Sequence, residues 1–230
     1  MKKKITALCL CVALLAIAVV GASLAYFTDT KSANNVFTMG DVRITLDEAK
    51  VTHTGDKWIA GEDRVIGNDY GSAYPGAVLP KDPTVHNKSA DGNGAYIRAT
   101  VTITGGMNFL GSLYKGDATV GEMPDAMYIR WFTKFVGGAL GNGWSVVKMD
   151  DASYTSGDLI MVLKYDKVLA ADESTTAMFN ELVIPADYDA NNGQGAYESF
   201  GTINVNVTAD AIQANGFADW NAAFAAFDAK

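Results

Sequence analysis

From Thr202 to Ala211 the chain alternates without a break: Ile203, Val205, Val207, Ala209 and Ala211 are apolar, and Thr202, Asn204, Asn206, Thr208 and Asp210 between them are polar. Successive side chains of an extended strand point to opposite faces, so this pattern demands a long strand with one face on a core and the other in water. Two further stretches obey the same rule. Val42, Ile44 and Leu46 alternate with Arg43, Thr45 and Asp47, and Ile97, Ala99, Val101 and Ile103 alternate with Arg98, Thr100 and Thr102. Such strands cannot satisfy their backbone groups alone, and the chain must build an antiparallel sheet around them.

Tyr128 to Phe135, Trp144 to Lys148, Asp158 to Tyr165 and Ala177 to Ile184 are rich in β-branched or aromatic residues and are bounded by glycine, aspartate or asparagine. They are expected as further strands. Turn residues that tolerate positive φ separate them, at Asp91-Gly92-Asn93-Gly94, Gly137-Gly138, Gly141-Asn142-Gly143 and Ser156-Gly157-Asp158. Two patches carry a helical period instead. Phe217, Trp220, Phe224 and Phe227 recur at spacings of three and four near the C-terminus, and Phe109, Leu110, Leu113 and Tyr114 predict a shorter helix over Met107 to Lys115. The expected class is mainly all-β: an antiparallel β-sandwich of jelly-roll type with short helical insertions and a C-terminal helix. No fixed-period repeat or Pro/Ser-rich linker divides the chain, so one domain is expected over 26–230.

The N-terminus is of another kind. Lys2, Lys3 and Lys4 precede an apolar run from Ile5 to Val20, and Ser23 and Ala25 then place small residues where a signal peptidase requires them. This predicts a signal peptide over 1–25, cut between Ala25 and Tyr26; a retained membrane anchor is the alternative. Both cysteines, Cys9 and Cys11, fall inside the apolar run, so a chain beginning at Tyr26 has no disulfide, thiol nucleophile or thiolate ligand. Removing residues 1–25 takes three lysines from 18 basic side chains and none of the 26 acidic ones, leaving a net charge of −11. A field of that sign, without a Lys/Arg cluster, excludes nucleic acid as a partner.

The stretch Ala25-Tyr26-Phe27-Thr28-Asp29, followed by Phe37-Thr38-Met39-Gly40-Asp41-Val42, resembles the N-terminal signature of the TasA/camelysin family. Tyr74-Pro75-Gly76 leading to Thr84-Val85-His86-Asn87 is similar to a further segment of that family, and Val207 to Phe217 resembles the strand ending in Ala-x-x-Gln that closes many of its members. The resemblance implies a jelly-roll-like sandwich, processing by a SipW-type signal peptidase, and assembly of the chain with itself into fibres of an extracellular matrix. It also implies that the freed segment Tyr26 to Val36, with Tyr26, Phe27, Thr28, Asp29 and Val36 as assembly residues, adds as a strand to the sheet of the next subunit. Head-to-tail addition of that kind does not close and therefore propagates. The residues themselves equally allow 26–36 to pair within its own domain or to remain a tail. Matrix or cell-wall components are further expected partners.

Some relatives in the family are described as metalloendopeptidases. The chain has two histidines, His53 and His86, and neither lies in His-Glu-x-x-His. No Gly-x-Ser-x-Gly elbow, phosphate loop or dinucleotide fingerprint is present, so no catalytic residue and no cofactor is assigned. Asp187, Asp189, Asn191 and Glu198 occupy places 1, 3, 5 and 12 of a calcium-type loop, but place 6 is Asn192 where glycine is required, and the stretch reads as a plain loop rather than a Ca2+ site. Trp58, Tyr70, Tyr74 and Trp131 could form a carbohydrate platform or belong to core and rim. A secreted structural protein is thus the leading reading, with a camelysin-type metalloendopeptidase and a monomeric surface adhesin or glycan-binding module as alternatives.

Overall fold

A computed structural model describes residues 42–89, 92, 94–114, 123–186 and 202–229, all of them in the compact unit Gly40–Lys230. The described part is mainly β, with antiparallel sheets and a few helices. Strand β1 (Ile44–Thr54) turns at Gly55, whose φ of 64° suits glycine, into β2 (Lys57–Val65). Then come the short β3 (Val78–Pro80) and β4 (Thr84–Asn87), the long β5 (Ala95–Ile103), helices α1 (Gly106–Tyr114) and α2 (Pro124–Phe135), and β6 (Trp144–Met149). A single helical turn, α3 (Ser153–Ser156), leads to β7 (Leu159–Tyr165), β8 (Glu181–Val183), β9 (Val205–Gln213) and the C-terminal helix α4 (Trp220–Asp228).

The strands form a three-stranded sheet in the order β2-β1-β4, a two-stranded sheet β3-β8, and a four-stranded sheet in the order β6-β7-β5-β9. In the last, the alternation foreseen for β5 is fully realised: Ala95, Ile97, Ala99, Val101 and Ile103 are all completely buried. Leu159, Met161 and Leu163 of β7 face the same core. Helices α1 and α2 join it through an edge-on contact of Phe109 with Phe135 at 5.7 Å, and Phe132 of α2 meets Phe179 edge-on at 6.5 Å. Arg98, on the opposite face of β5, holds α4 by a two-oxygen contact with Asp228 at 2.8 Å and by its guanidinium lying over Phe224 and Phe227. Asp219 caps that helix, accepting from the Ala222 N–H at 2.8 Å.

The expected strands at 144–148, 158–165 and 203–211 are present as β6, β7 and β9, and both expected helices form. The expected strand over Tyr128 to Phe135 is instead the greater part of α2. Its aromatic content suggested β, but Tyr128, Trp131, Phe132 and Phe135 follow the i, i+3, i+4, i+7 spacing of a helix face, Pro124 opens the first turn and Gly137-Gly138 ends the run at φ of 85° and 90°. Of Ala177 to Ile184 only Glu181–Val183 pairs as a strand; Met178 N–H is bonded to the Pro83 carbonyl and Asn180 accepts from Lys81 N–H in an irregular path. Strand β2 was not foreseen, because every residue from Ile59 to Arg64 is exposed and no apolar alternation marks it.

Candidate functional site

The residues expected at the processing and assembly sites (Ala25, Tyr26, Phe27, Thr28, Asp29 and Val36) lie outside the described residues, as do Asp187, Asp189, Asn191 and Glu198 of the calcium-type loop. The two histidines are described and are far apart. His86 is paired across the sheet with Thr45 near one end of β1, and His53 lies near the other end, eight residues on, about 26 Å at strand rise. They cannot share one metal. Among the described residues no group of three His, Cys, Asp or Glu side chains is placed to hold an ion.

His86 is committed locally. Its Nδ1 lies 2.6 Å from Ser174 Oγ and its Nε2 3.0 Å from Asp47 Oδ1. The order of ring nitrogens is the reverse of a serine-hydrolase relay, and Asp47 is also held by Arg64 Nε at 2.8 Å. Burial works against ionisation of Asp47, but the hydrogen bonds and charges of His86 and Arg64 outweigh it and hold the carboxyl below the usual range.

The four aromatic residues considered as a sugar platform do not make one. Trp58 is buried, its ring stacked by His53 at 4.6 Å and flanked by Tyr74 at 5.4 Å, with its indole N–H donated to the Tyr70 carbonyl at 3.0 Å. Trp131 belongs to α2 and packs edge-on against Tyr128. A sugar ring needs a free aromatic face, and Trp58 is buried against these protein neighbours.

The feature with clear binding capacity is the outer edge of β9. Asn204 accepts from Thr104 N–H, and Ala214 N–H donates to Gly94. With the register Thr100↔Thr208, these two bonds fix the phase of the ladder: even-numbered residues of β9 aim their backbone at β5. Val205, Val207, Ala209, Ala211 and Gln213 therefore aim theirs away from it, where no described strand pairs with them. The side chains of these same residues are on the core face of the sheet, yet they are only half-buried, unlike their fully buried partners on β5. Among the described residues, an edge nine residues long thus presents backbone groups without a strand partner above an incompletely covered apolar row.

Beside the start of β9 lies a cleft of about 120 Å3, lined by Leu46, Ile66, Pro83, Val205 and Val207 and by polar residues that include Glu48, Asn68 and Lys81. Ile66 on its rim is 95% exposed. Glu48 and Lys81 are buried and paired, Nζ to Oε2, at 2.6 Å. Tyr70, whose hydroxyl donates to the Pro80 carbonyl, is pushed well above the ordinary phenol value by burial, reinforced by the charges of Glu48 and Asp82.

Sequence reasoning located β9 but not its edge, since alternation reveals the faces of a strand and is silent about its neighbours. It missed Glu48, Asn68 and Lys81 altogether, because they are 13 to 33 positions apart and form no local motif. Among the described residues no helix is long and apolar enough to cross a membrane. No curated protein and no solved structure matches the chain. Residues 1–59, a stretch that ends inside the β1–β2 hairpin, match the family model described as camelysin metallo-endopeptidase.

Proposed function

We propose that this chain is an exported, non-catalytic structural protein of the extracellular matrix or cell surface, assembling head-to-tail with copies of itself. In this reading 1–25 is removed by a SipW-type signal peptidase, and 26–230 forms one domain of jelly-roll type. The segment from Tyr26 to Val36 of one copy pairs along the open edge of β9 in the next. The observation that carries it is that edge, where outward-aimed backbone groups from Val205 to Gln213 coincide with a half-covered apolar row. A strand laid there gains ladder hydrogen bonds and buries Val205, Val207, Ala209 and Ala211 in one step. Agreement of residues 1–59 with the camelysin family supports export and assembly of the same kind.

The peptidase in the family's description would need ligands that His53, near one end of β1, and His86, on β4 beside the other end, do not jointly supply. Matrix or cell-wall components remain partners within the proposal. The test is to sequence the N-terminus of exported material and to image the same sample by electron microscopy. A terminus at Tyr26 together with fibres is expected; material that begins at Met1, or that begins at Tyr26 and stays monomeric at high concentration, overturns the reading.

A further inference from the structure

We propose that Lys81 and Asn68 are joined by an intramolecular isopeptide bond whose formation is catalysed by Glu48. The proposal is independent of fibre assembly and rests on three side chains gathered from separate parts of the fold: Glu48 from β1, Asn68 from the segment after β2, and Lys81 from the residue after β3.

One carboxylate touches both reacting groups. Lys81 Nζ is 2.6 Å from Glu48 Oε2, and Asn68 Nδ2 donates to Glu48 Oε1 at 2.9 Å. Glu48 is 3% and Lys81 8% exposed, so the amine and its base are withdrawn from water. A buried ion pair is a poor source of stability, because desolvation of both charges offsets most of their attraction. Its components are, however, those of an amide-forming site: a nucleophile, a general acid–base and an electrophile held in place.

Asn68 is held as a substrate should be. Its Nδ2 also donates to the Ala49 carbonyl at 2.8 Å, while its Oδ1 accepts from the Val51 N–H at 2.7 Å. These two backbone contacts fix which end of the carboxamide is oxygen. They also place an N–H donor on the oxygen that becomes negative when the carbon is attacked. The leaving nitrogen faces Glu48, and the cleft lined by Glu48, Asn68 and Lys81 gives the product a way out.

The step balances without any added reagent. Glu48 takes a proton from the Lys81 ammonium, and the freed Nζ lone pair forms a bond to Asn68 Cγ. The carbonyl pair moves onto Oδ1 and is held by the Val51 N–H. The tetrahedral carbon then re-forms its carbonyl and expels Nδ2, which takes the proton from Glu48 and leaves as ammonia. The remaining excess proton on Nζ departs with the ammonia as ammonium, so an ammonium and a carboxamide become a secondary amide and an ammonium ion. Glu48 ends as the carboxylate it began as.

Tryptic mapping of the exported full chain tests this directly, because no Lys or Arg lies between Arg64 and Lys81 or between Lys81 and Lys88. Acylated Lys81 is not cut. The expected product is one peptide, Val65 to Lys88, lighter than its sequence mass by one ammonia, with fragmentation placing the link between Asn68 and Lys81. Separate peptides ending at Lys81 and Lys88 with full masses overturn the proposal. The Lys81→Arg variant keeps a cation against Glu48 without a nucleophilic amine, and Glu48→Gln removes the base; both are expected to give the two separate peptides. A joined peptide formed as completely in Glu48→Gln as in the unaltered chain overturns the role of Glu48.

Discussion

Replacing Val207 by proline should abolish self-assembly while leaving the domain folded, and replacing its neighbour Thr208 should destabilise the domain itself. Val207 aims its N–H at the open edge of β9, whereas Thr208 lies in phase with the bonds to β5 and faces Thr100. Proline is tolerated on an edge strand where its missing N–H faces solvent, so Val207→Pro forfeits some half-buried side-chain packing in the monomer, about 1 kcal/mol. For an incoming strand the same change removes one ladder bond, about 1 kcal/mol, and leaves a carbonyl buried without a donor, about 1–3 kcal/mol. The sum, about 2–4 kcal/mol per junction, raises the concentration needed for growth by roughly 30-fold to 700-fold. Thr208→Pro breaks a bond inside the sheet and should cost the monomer roughly 3 kcal/mol.

The assay is paired: thermal melting of each purified variant, and sedimentation of the same samples across a concentration series. Val207→Pro should melt near the unaltered protein and stay in the supernatant. Thr208→Pro should melt several degrees lower. Should Val207→Pro melt normally and pellet at the concentration of the unaltered protein, β9 is not the acceptor, whatever the fate of the N-terminal segment.

Other consequences of the structure are open to simpler measurements. A Cβ on Gly141 would sit 1.8 Å from the Ala177 carbonyl oxygen, so Gly141→Ala should lower the melting temperature by an amount corresponding to at least about 2 kcal/mol. Arg98→Met should loosen α4 from the sheet, because it frees Asp210 and Asp228 and uncovers Phe224 and Phe227; hydrogen exchange should rise in 220–228 and remain unchanged in β7. Asp47 is held below the usual carboxylate range, so its contribution to stability is complete above about pH 4 and is lost as pH falls through its lower folded value. Acid unfolding of Asp47→Asn should accordingly begin from a lower plateau and be shallower. Tyr154 is pushed up to about 12 by its hydrogen bond to Asp125, with burial and the Asp125 charge adding. Its neutral form is the one stabilised, so that contribution is intact below about pH 10 and disappears as pH rises through about 12; ultraviolet titration of Tyr154→Phe should lose a late-ionising phenol.

How much of this was legible in the sequence depends on the range of the interaction. The burial of β5 and the course of β9 follow from side-chain alternation within one segment, and both were readable from Ile97 to Ile103 and from Ile203 to Ala211. In helix α2 composition and spacing point different ways: Tyr128, Trp131, Phe132 and Phe135 are β-favouring types set at helical intervals. Strand β2 exists because Gly55 reverses the chain beside β1, and pairing of backbone to backbone leaves no apolar trace when both faces are exposed. The histidines, acids and aromatics weighed as sites required distances across the fold that no spacing encodes. Glu48, Asn68 and Lys81 come together only because β1, β2 and β3 converge.

The strongest reason to treat the edge of β9 as functional is how the other edges are handled. Strand β1 outruns β4, and the backbone groups left over at Ala49 and Val51 are answered by side chains: Asp82 Oδ1 accepts from Ala49 N–H at 2.6 Å, and the Asn68 carboxamide takes the place of a peptide group on the same edge. Strand β2 carries Glu62, Asp63 and Arg64 and is bulged, with three of its residues set against Lys50 alone. Strand β4 is covered by bonds to Glu173 and Thr175, and β6 is bulged at Val147 next to Lys148. Each is a known means of preventing edge-to-edge association. Strand β9 has no bulge, no proline and no lysine, and its one acid, Asp210, points to the other face and is bound by Arg98. A chain that blunts these edges by four different devices and leaves the nine-residue β9 bare among the described residues has an edge shaped for pairing, and the proline pair at 207 and 208 asks whether pairing is what it does.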